Sequence, residues 1–415
     1  MEDTKFSIFE KWLKDNGAKI GNTLMQNKIN GEREVISKDT LTKGSNIVKI
    51  PQKLIITDKL AEDTYYGQCL LKGDHTKIHN LGISLVAIYI LLTFHKKNPE
   101  SFFKPYYDIL PTNIDHFPIF WSHKKLLLLQ GSNILNKIQE RINSFKNDYN
   151  VIINNCPGFK EQFSFKQFVY VRTLIGSRNF GIQVNGEKRV AMIPYADMLN
   201  HSASPSTNWY YSQKEDCFKM DTNTTIQPST EITDTYGKKN NLNYFIFYGF
   251  TLPNNDNNTI TFNLKQVDET KNKLAPSFIG ELNKDLDNST FQRLLAFLRV
   301  SAATNEDLER NNSLTNFYSP INKTNEYNAL RNLYLLIEQL ERNYIKSRGK
   351  IKKLLKKTRH FTKEYSAFTY ILGELEILLF YKNLASIFME QLEKGNTGTN
   401  KEYKIYQNII NNIVS

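Results

Sequence analysis

The hydrophobic pattern of this chain changes character three times, and that alternation limits the architectures open to it. Residues 1 to about 64 open with Phe6, Phe9, Trp12 and Leu13 at helical spacing, then continue in short β-like runs, Glu34-Val35-Ile36 and Asn46-Ile47-Val48-Lys49-Ile50. Residues from about 65 to 165 are helical in character. There, 83–94 reads as a buried helix, and 121–129 and 134–152 place apolar residues at intervals of three and four. From 166 to about 265, a helix over 165–175 gives way to a strand-like run at 190–194 and to loops rich in Ser, Asn and Thr. Beyond about 270 the periodicity is helical to the end. The order predicts an α+β chain: a small β-rich domain in two pieces (1–64 and 166–265), split by a helical insertion (65–165) and followed by an all-α domain (270–415).

A chain of 415 residues, 40% apolar, can bury more than one core. Its formal charge of +12 favours an acidic partner without choosing among nucleic acid, anionic lipid and acidic protein. Cys69, Cys156 and Cys217 are odd in number and far apart, so they offer neither a disulfide framework nor a zinc site. A reducing compartment, cytoplasm or nucleus, is the expected home. The first residues, MEDTKFSIFEKWLK, read as an amphipathic helix rather than a signal peptide, and the apolar run 83–93 is too short to cross a bilayer. No membrane association is expected.

Three segments carry polar chemistry. They are Ser177-Arg178-Asn179-Phe180; Ile193-Pro194-Tyr195-Ala196-Asp197-Met198-Leu199-Asn200-His201-Ser202; and Glu231-Ile232-Thr233-Asp234-Thr235-Tyr236-Gly237, followed by Asn240-Asn241 and Tyr248-Gly249-Phe250. Singly, each has an ordinary reading: a surface ion-pair partner, a polar loop, a packed aromatic before a turn. In this order and spacing they resemble the SET-domain family, in the branch typified by the Rubisco large-subunit methyltransferase and its relatives acting on ribosomal proteins and elongation factors. FEKWLKDNGAKI resembles that branch's first helix and SFFKPYYDILP its helical insertion, so the resemblance spans nearly the whole chain.

The resemblance implies S-adenosylmethionine as cofactor, no metal, and methyl transfer to a lysine of a non-histone protein, a ribosomal protein or translation factor first among them. It also implies a knot-like crossing of the second and third segments. Arg178 corresponds to the residue holding the cofactor carboxylate. Asn200 and His201 correspond to the pair contacting its amino-acid end and adenine, and Gly31, Glu32 and Arg33 to the turn that approaches it. Tyr236 corresponds to the catalytic tyrosine, close to cofactor and amine alike. Phe180 and Tyr248 resemble walls of the lysine channel, although both could be plain core residues. Asp197 is read equally as a substrate contact or as a structural acceptor. The chemistry is consistent with these roles. A free lysine with a pKa of about 10.4 is neutral in roughly one molecule in a thousand at pH 7, and an apolar channel beside a sulfonium raises that share.

The sequence departs from the family at its glycine-rich turn. In Asn30-Gly31-Glu32-Arg33-Glu34-Val35 a charged residue falls where a second glycine is expected, and Glu adopts positive φ badly. Either Gly31 serves in a shifted register or cofactor affinity falls. The second outcome sustains the alternative reading, a catalytically impaired SET-fold protein acting as a binding or assembly subunit. A histidine-directed member of the branch carries Asn where Phe180 stands and Trp where Ala196 stands, so this chain has the lysine-type residues at both.

The segment from Lys346 to Lys363 holds nine Lys or Arg and no acidic residue. It reads either as a solvated helix face beside Leu354 and Leu355 or as a contact for an acidic or RNA-containing partner. The helical C-terminal region is expected to recruit the protein substrate, and the chain to act as a monomer.

Overall fold

The computed structural model describes residues 2–28, 33–95, 100–285 and 289–394. The chain forms two compact units, one of residues 1–115 with 139–238, the other of residues 116–138 with 239–415.

The first unit holds the small sheets. Helix Glu2–Asp15 buries Phe6, Phe9 and Leu13, the residues whose spacing predicts it. An antiparallel four-stranded sheet follows in the order Lys19–Ile20, Asn46–Pro51, Cys217–Thr222, Thr207–Ser212. Ile56–Thr57, Glu187–Met192 and Asn179–Val184 make a three-stranded antiparallel sheet, and Thr23–Asn27 pairs with Arg33–Ser37 as a hairpin. Gly31 and Glu32 fall in that hairpin's connection, outside the described residues. In the insertion, helix Leu81–Ile90 buries Ser84, Leu85, Val86, Ala87, Ile88 and Ile90. A helix apolar on all sides has no solvent face to offer, so it sits inside the core. Its N-terminus is capped by the Asn80 side chain, which accepts from the Ile83 amide. Helix Phe165–Gly176 starts with a reciprocal capping box between Ser164 and Gln167 and delivers the chain to Arg178.

The second unit is built on helices Ser289–Ala302, Lys323–Asn343 and Lys363–Lys394. One element differs from the helical expectation past 270. Ser277–Leu282 is a strand, paired antiparallel with Ile260–Lys265. Phe278 and Leu282 are buried while Ser277 and Ile279 are exposed, so its period is two, too short a run to stand out beside long helices. Inside the helices, Arg299 is fully buried and doubly bonded to Glu326, with its Nη1 donating to the Phe317 and Tyr318 carbonyls. Glu374, also buried, accepts from the hydroxyls of Ser132, Tyr344 and Tyr370.

Candidate active site

The polar segments of the first unit converge where Asn200–His201 pairs in parallel with Thr233–Asp234, Thr233 opposite Asn200 and Asp234 opposite His201. The stretch leading in is strained. Tyr195 holds φ 73° and ψ −49°, a conformation that costs a non-glycine residue about 1–3 kcal/mol. It persists because the Tyr195 ring is fully buried and its hydroxyl bonds to Thr23 on the first hairpin. The short helical turn Ala196–Met198 that follows points Asp197 inward.

Asp197 is the hub of one half of the site. Its Oδ2 accepts from the Tyr106 hydroxyl at 2.7 Å and from Arg178 Nη1 at 3.2 Å, and the same Nη1 donates to the Asp197 carbonyl at 2.8 Å. Burial pushes the carboxyl above its ordinary range, opposed by Arg178, Tyr106 and Arg33. Asp197 Oδ1 is buried with no hydrogen-bond partner among the described residues. The Arg178 side chain keeps 18% of its surface, and among the described residues all its hydrogen bonds run through Nη1. The planar fork of Nε and Nη2 is therefore left for a further anion.

Tyr236 is the hub of the other half. Its hydroxyl donates to the Leu199 carbonyl at 2.9 Å, and its amide donates to His201 Nδ1 at 3.0 Å. The two rings lie 5.2 Å apart at 31°. Because a carbonyl only accepts, the phenol proton is committed to Leu199, and the oxygen's lone pairs are what it can offer a reacting group. The Asn200 amide donates to the Arg33 carbonyl and to Glu231 Oε1, both at 2.7 Å. The side chains of the Asn200-His201 pair are thus engaged in assembling the site. Beside Tyr236, Asp234 is buried and its carboxyl is pushed up to about 6 by desolvation, against hydrogen bonds from Thr207 and the Thr235 amide.

Phe180 packs edge-on against Trp209 (5.3 Å) and Phe218 (5.4 Å). Tyr248 belongs to the second unit, at the end of helix Asn241–Tyr248, 6.2 Å from both Tyr244 and Phe250. Gly249 follows with φ 79°, and a Cβ there would meet the His116 ring at 2.4 Å, so this position requires glycine. Arg33 and Glu34 begin strand Arg33–Ser37, and neither has positive φ. Glu34 points to Gln26 (2.9 Å) and Lys28 (3.4 Å). The conformational objection to a charged residue there does not apply at these two positions.

Sequence reasoning missed Tyr106, which is embedded in the aromatic stretch SFFKPYYDILP with nothing to single it out. It also missed the ion cluster of Lys28, Glu34 and Glu231, whose members are about 200 residues apart in part: Lys28 reaches Glu231 at 2.8 Å across 203 positions. Glu231 could have been suspected, since it opens the EITDTYG segment. Among the described residues no group of side chains could hold a metal ion, and no helix is long and apolar enough to cross a membrane.

A SET domain model matches residues 32–237, and a Rubisco LSMT substrate-binding model matches residues 257–378. Sequence relatives include the ribosomal lysine N-methyltransferase of Schizosaccharomyces pombe, 24% identical over 52% of this chain and 42% of its own. The actin-histidine N-methyltransferase of Mus musculus is 25% identical over 73% of this chain and 54% of its own. The N-lysine methyltransferase of Xenopus laevis is 23% identical over 56% of this chain and 54% of its own. The chain spans about half the length of these curated relatives. Among solved structures, Rubisco LSMT bound to AdoMet superimposes with a TM-score of 0.75, covering 98% of this chain and 99% of that one at 18% identity. The SET domain of LSMT bound to lysine and AdoHcy gives 0.76 over 94% and 93%, also at 18% identity. S-adenosylmethionine is the cofactor of SET methyltransferases. The chain belongs to the SET-domain family, in the branch whose SET domain is followed by a Rubisco LSMT substrate-binding domain.

Proposed function

We propose that this chain transfers a methyl group from S-adenosylmethionine to the side-chain amine of a lysine in a non-histone protein, a ribosomal protein or translation factor being the leading class. The observation that carries the reading is the anchoring of Tyr236 by the Leu199 carbonyl and His201 at the parallel strand pair, next to the Arg178–Asp197 pair.

The residues fit the cofactor on one test of chemistry. The Arg178 guanidinium has one nitrogen spent on Asp197 and a remaining fork suited to a carboxylate. Arg178 would hold the amino-acid end, with the main chain of Asn200 and His201 beside it. When bound, S-adenosylmethionine supplies an activated methyl group on a sulfonium. Tyr236, its proton given to Leu199, accepts an N–H of the incoming amine and aims the nitrogen lone pair. An ammonium is the stronger donor to this oxygen, so Tyr236 holds the nitrogen before proton loss and orients the neutral amine after it. Tyr106 and Asp197 fix Arg178 from behind.

The test supplies methyl-labelled S-adenosylmethionine and a lysate to the chain, then hydrolyses labelled proteins to amino acids. Label in methyllysine is the expected result. Label in methylhistidine would move the chain to the other chemistry present among its relatives. No label, with S-adenosylhomocysteine still binding, would leave the binding-subunit reading.

A further inference from the structure

The fold neutralises part of the basic segment of the second unit and leaves the rest exposed. Helix Arg348–Leu355 buries Ile351 and turns Arg348 and Lys352 toward Glu376, at 3.1 and 2.7 Å. Lys350 and Lys353 sit three apart on that helix and Lys357 lies just past its end, and none of the three pairs with that acid. These three, with Lys356 and Arg359, are exposed, and among the described residues none forms an ion pair.

The fold then adds charge from elsewhere in the sequence. Lys125 pairs with Glu364 at the start of helix Lys363–Lys394, across 239 positions. This brings the exposed His123-Lys124 turn to the same end of the unit. Next to the lysines stands Phe361, 63% exposed and held at φ 63°, a conformation costly for an aromatic residue. Its neighbour His360 stacks on Tyr365 at 4.4 Å.

Closely spaced cations without acids fit a uniform polyanion, and an outward aromatic among them fits a base. An acidic protein surface would account for the charge alone, whereas RNA answers both the unpaired cations and the outward ring with one ligand. We propose that this face binds RNA, its lysines on the phosphate backbone of a single-stranded or looped segment and Phe361 stacked on a base. The binding needs no cofactor, so its failure and a failure of the methyl-transfer reading are separate results.

The experiment is fluorescence anisotropy of a mixed-sequence single-stranded RNA of about 20 nucleotides with the full chain, from about 50 to 200 mM salt. Joint Lys350→Glu, Lys353→Glu and Lys357→Glu should weaken binding at least about tenfold and flatten the log–log salt slope by about 2, at roughly 0.7 per lost phosphate contact. The triple Lys→Gln variant should act in the same direction, which guards against a folding defect from charge reversal. Phe361→Ala should weaken binding at least about fivefold and leave the salt slope unchanged. The proposal is overturned if the wild-type chain does not bind, or if both triple variants bind as wild type does. It is equally overturned if Phe361→Ala has no effect, or if poly-L-glutamate at equal charge displaces the RNA, which would assign the face to an acidic protein.

Discussion

Glu374→Gln should stabilise the second unit at alkaline pH and do little at acid pH. Glu374 is 4% exposed, and its carboxyl takes Ser132 and Tyr370 on Oε1 at 2.9 and 2.8 Å and Tyr344 on Oε2 at 3.0 Å. Among the described residues it has no cationic partner. Burial outweighs the three hydroxyls and pushes its pKa from 4.5 up to about 7. Tyr344 and Tyr370 are themselves pushed well above the ordinary tyrosine value by burial, so they stay neutral and Glu374 alone titrates. The folded carboxyl therefore keeps its proton where the unfolded one has lost it. Its contribution to stability is complete below about pH 4.5 and is lost as pH rises through about 7. At about 1.4 kcal/mol per pH unit, ionised Glu374 destabilises the folded unit by about 3 kcal/mol at about pH 8.5. Gln imitates the protonated acid, with an N–H able to donate to one of the hydroxyls, and removes most of that cost. Hydrogen exchange of the amides in helix Lys363–Lys394, followed by mass spectrometry across a pH series, reads the local opening energy directly. A difference between variant and wild type that does not grow with pH, or a variant less protected at about pH 8.5, would refute the argument.

Five further substitutions have expected outcomes. Tyr236→Phe should lower the single-turnover methylation rate at least about tenfold, roughly 1.4 kcal/mol, with cofactor affinity nearly unchanged; an unchanged rate removes Tyr236 from its role. Arg178→Ala should weaken S-adenosylhomocysteine binding at least about tenfold by calorimetry, and Tyr106→Phe should weaken it by less, about threefold, by loosening Arg178 through Asp197. Glu34→Gly should change the same affinity less than about threefold, because Glu34 is extended and engaged with Gln26 and Lys28; a marked gain would restore the missing glycine as the weak point. Glu326→Ala should cost about 3–5 kcal/mol in urea unfolding of the second unit, since it strands the buried Arg299 charge.

The alternation of β-rich and helical stretches was legible because long apolar periods mark both a buried helix such as Leu81–Ile90 and an amphipathic one such as Ile134–Asn155. The short strand Ser277–Leu282 was not, since six residues of period two compete poorly with the helices around them. In the site, Arg178, Asn200, His201 and Tyr236 could be named because the segments that hold them resemble those of the SET-domain family. Their partners could not. Leu199 and Arg33 act through backbone carbonyls, which carry no residue signature. Tyr106 contributes one hydroxyl from a stretch crowded with aromatics. The strain at Tyr195 is likewise invisible to side-chain reasoning, as a tyrosine gives no cue for positive φ.

The parallel pair of Asn200–His201 with Thr233–Asp234 also fixes the order in which a nascent chain acquires its site. The hairpin that supplies the Arg33 carbonyl is synthesised early, yet Glu231, which shares Asn200 with that carbonyl, follows almost 200 residues later. At about 5–20 residues per second a ribosome needs on the order of 10–40 s to cover that stretch. During this interval the strand Arg33–Ser37 lacks the bridge from Ile36 to Glu231 and the bond from the Ile232 amide to the Val35 carbonyl. Helix Leu81–Ile90 likewise waits for helix Phe165–Gly176 and strand Glu187–Met192, against which it packs. Translation arrested before Glu231 would therefore release a chain whose Asn200 and strand Arg33–Ser37 lack their partners, and the last few residues of the first unit act as its closing stitch.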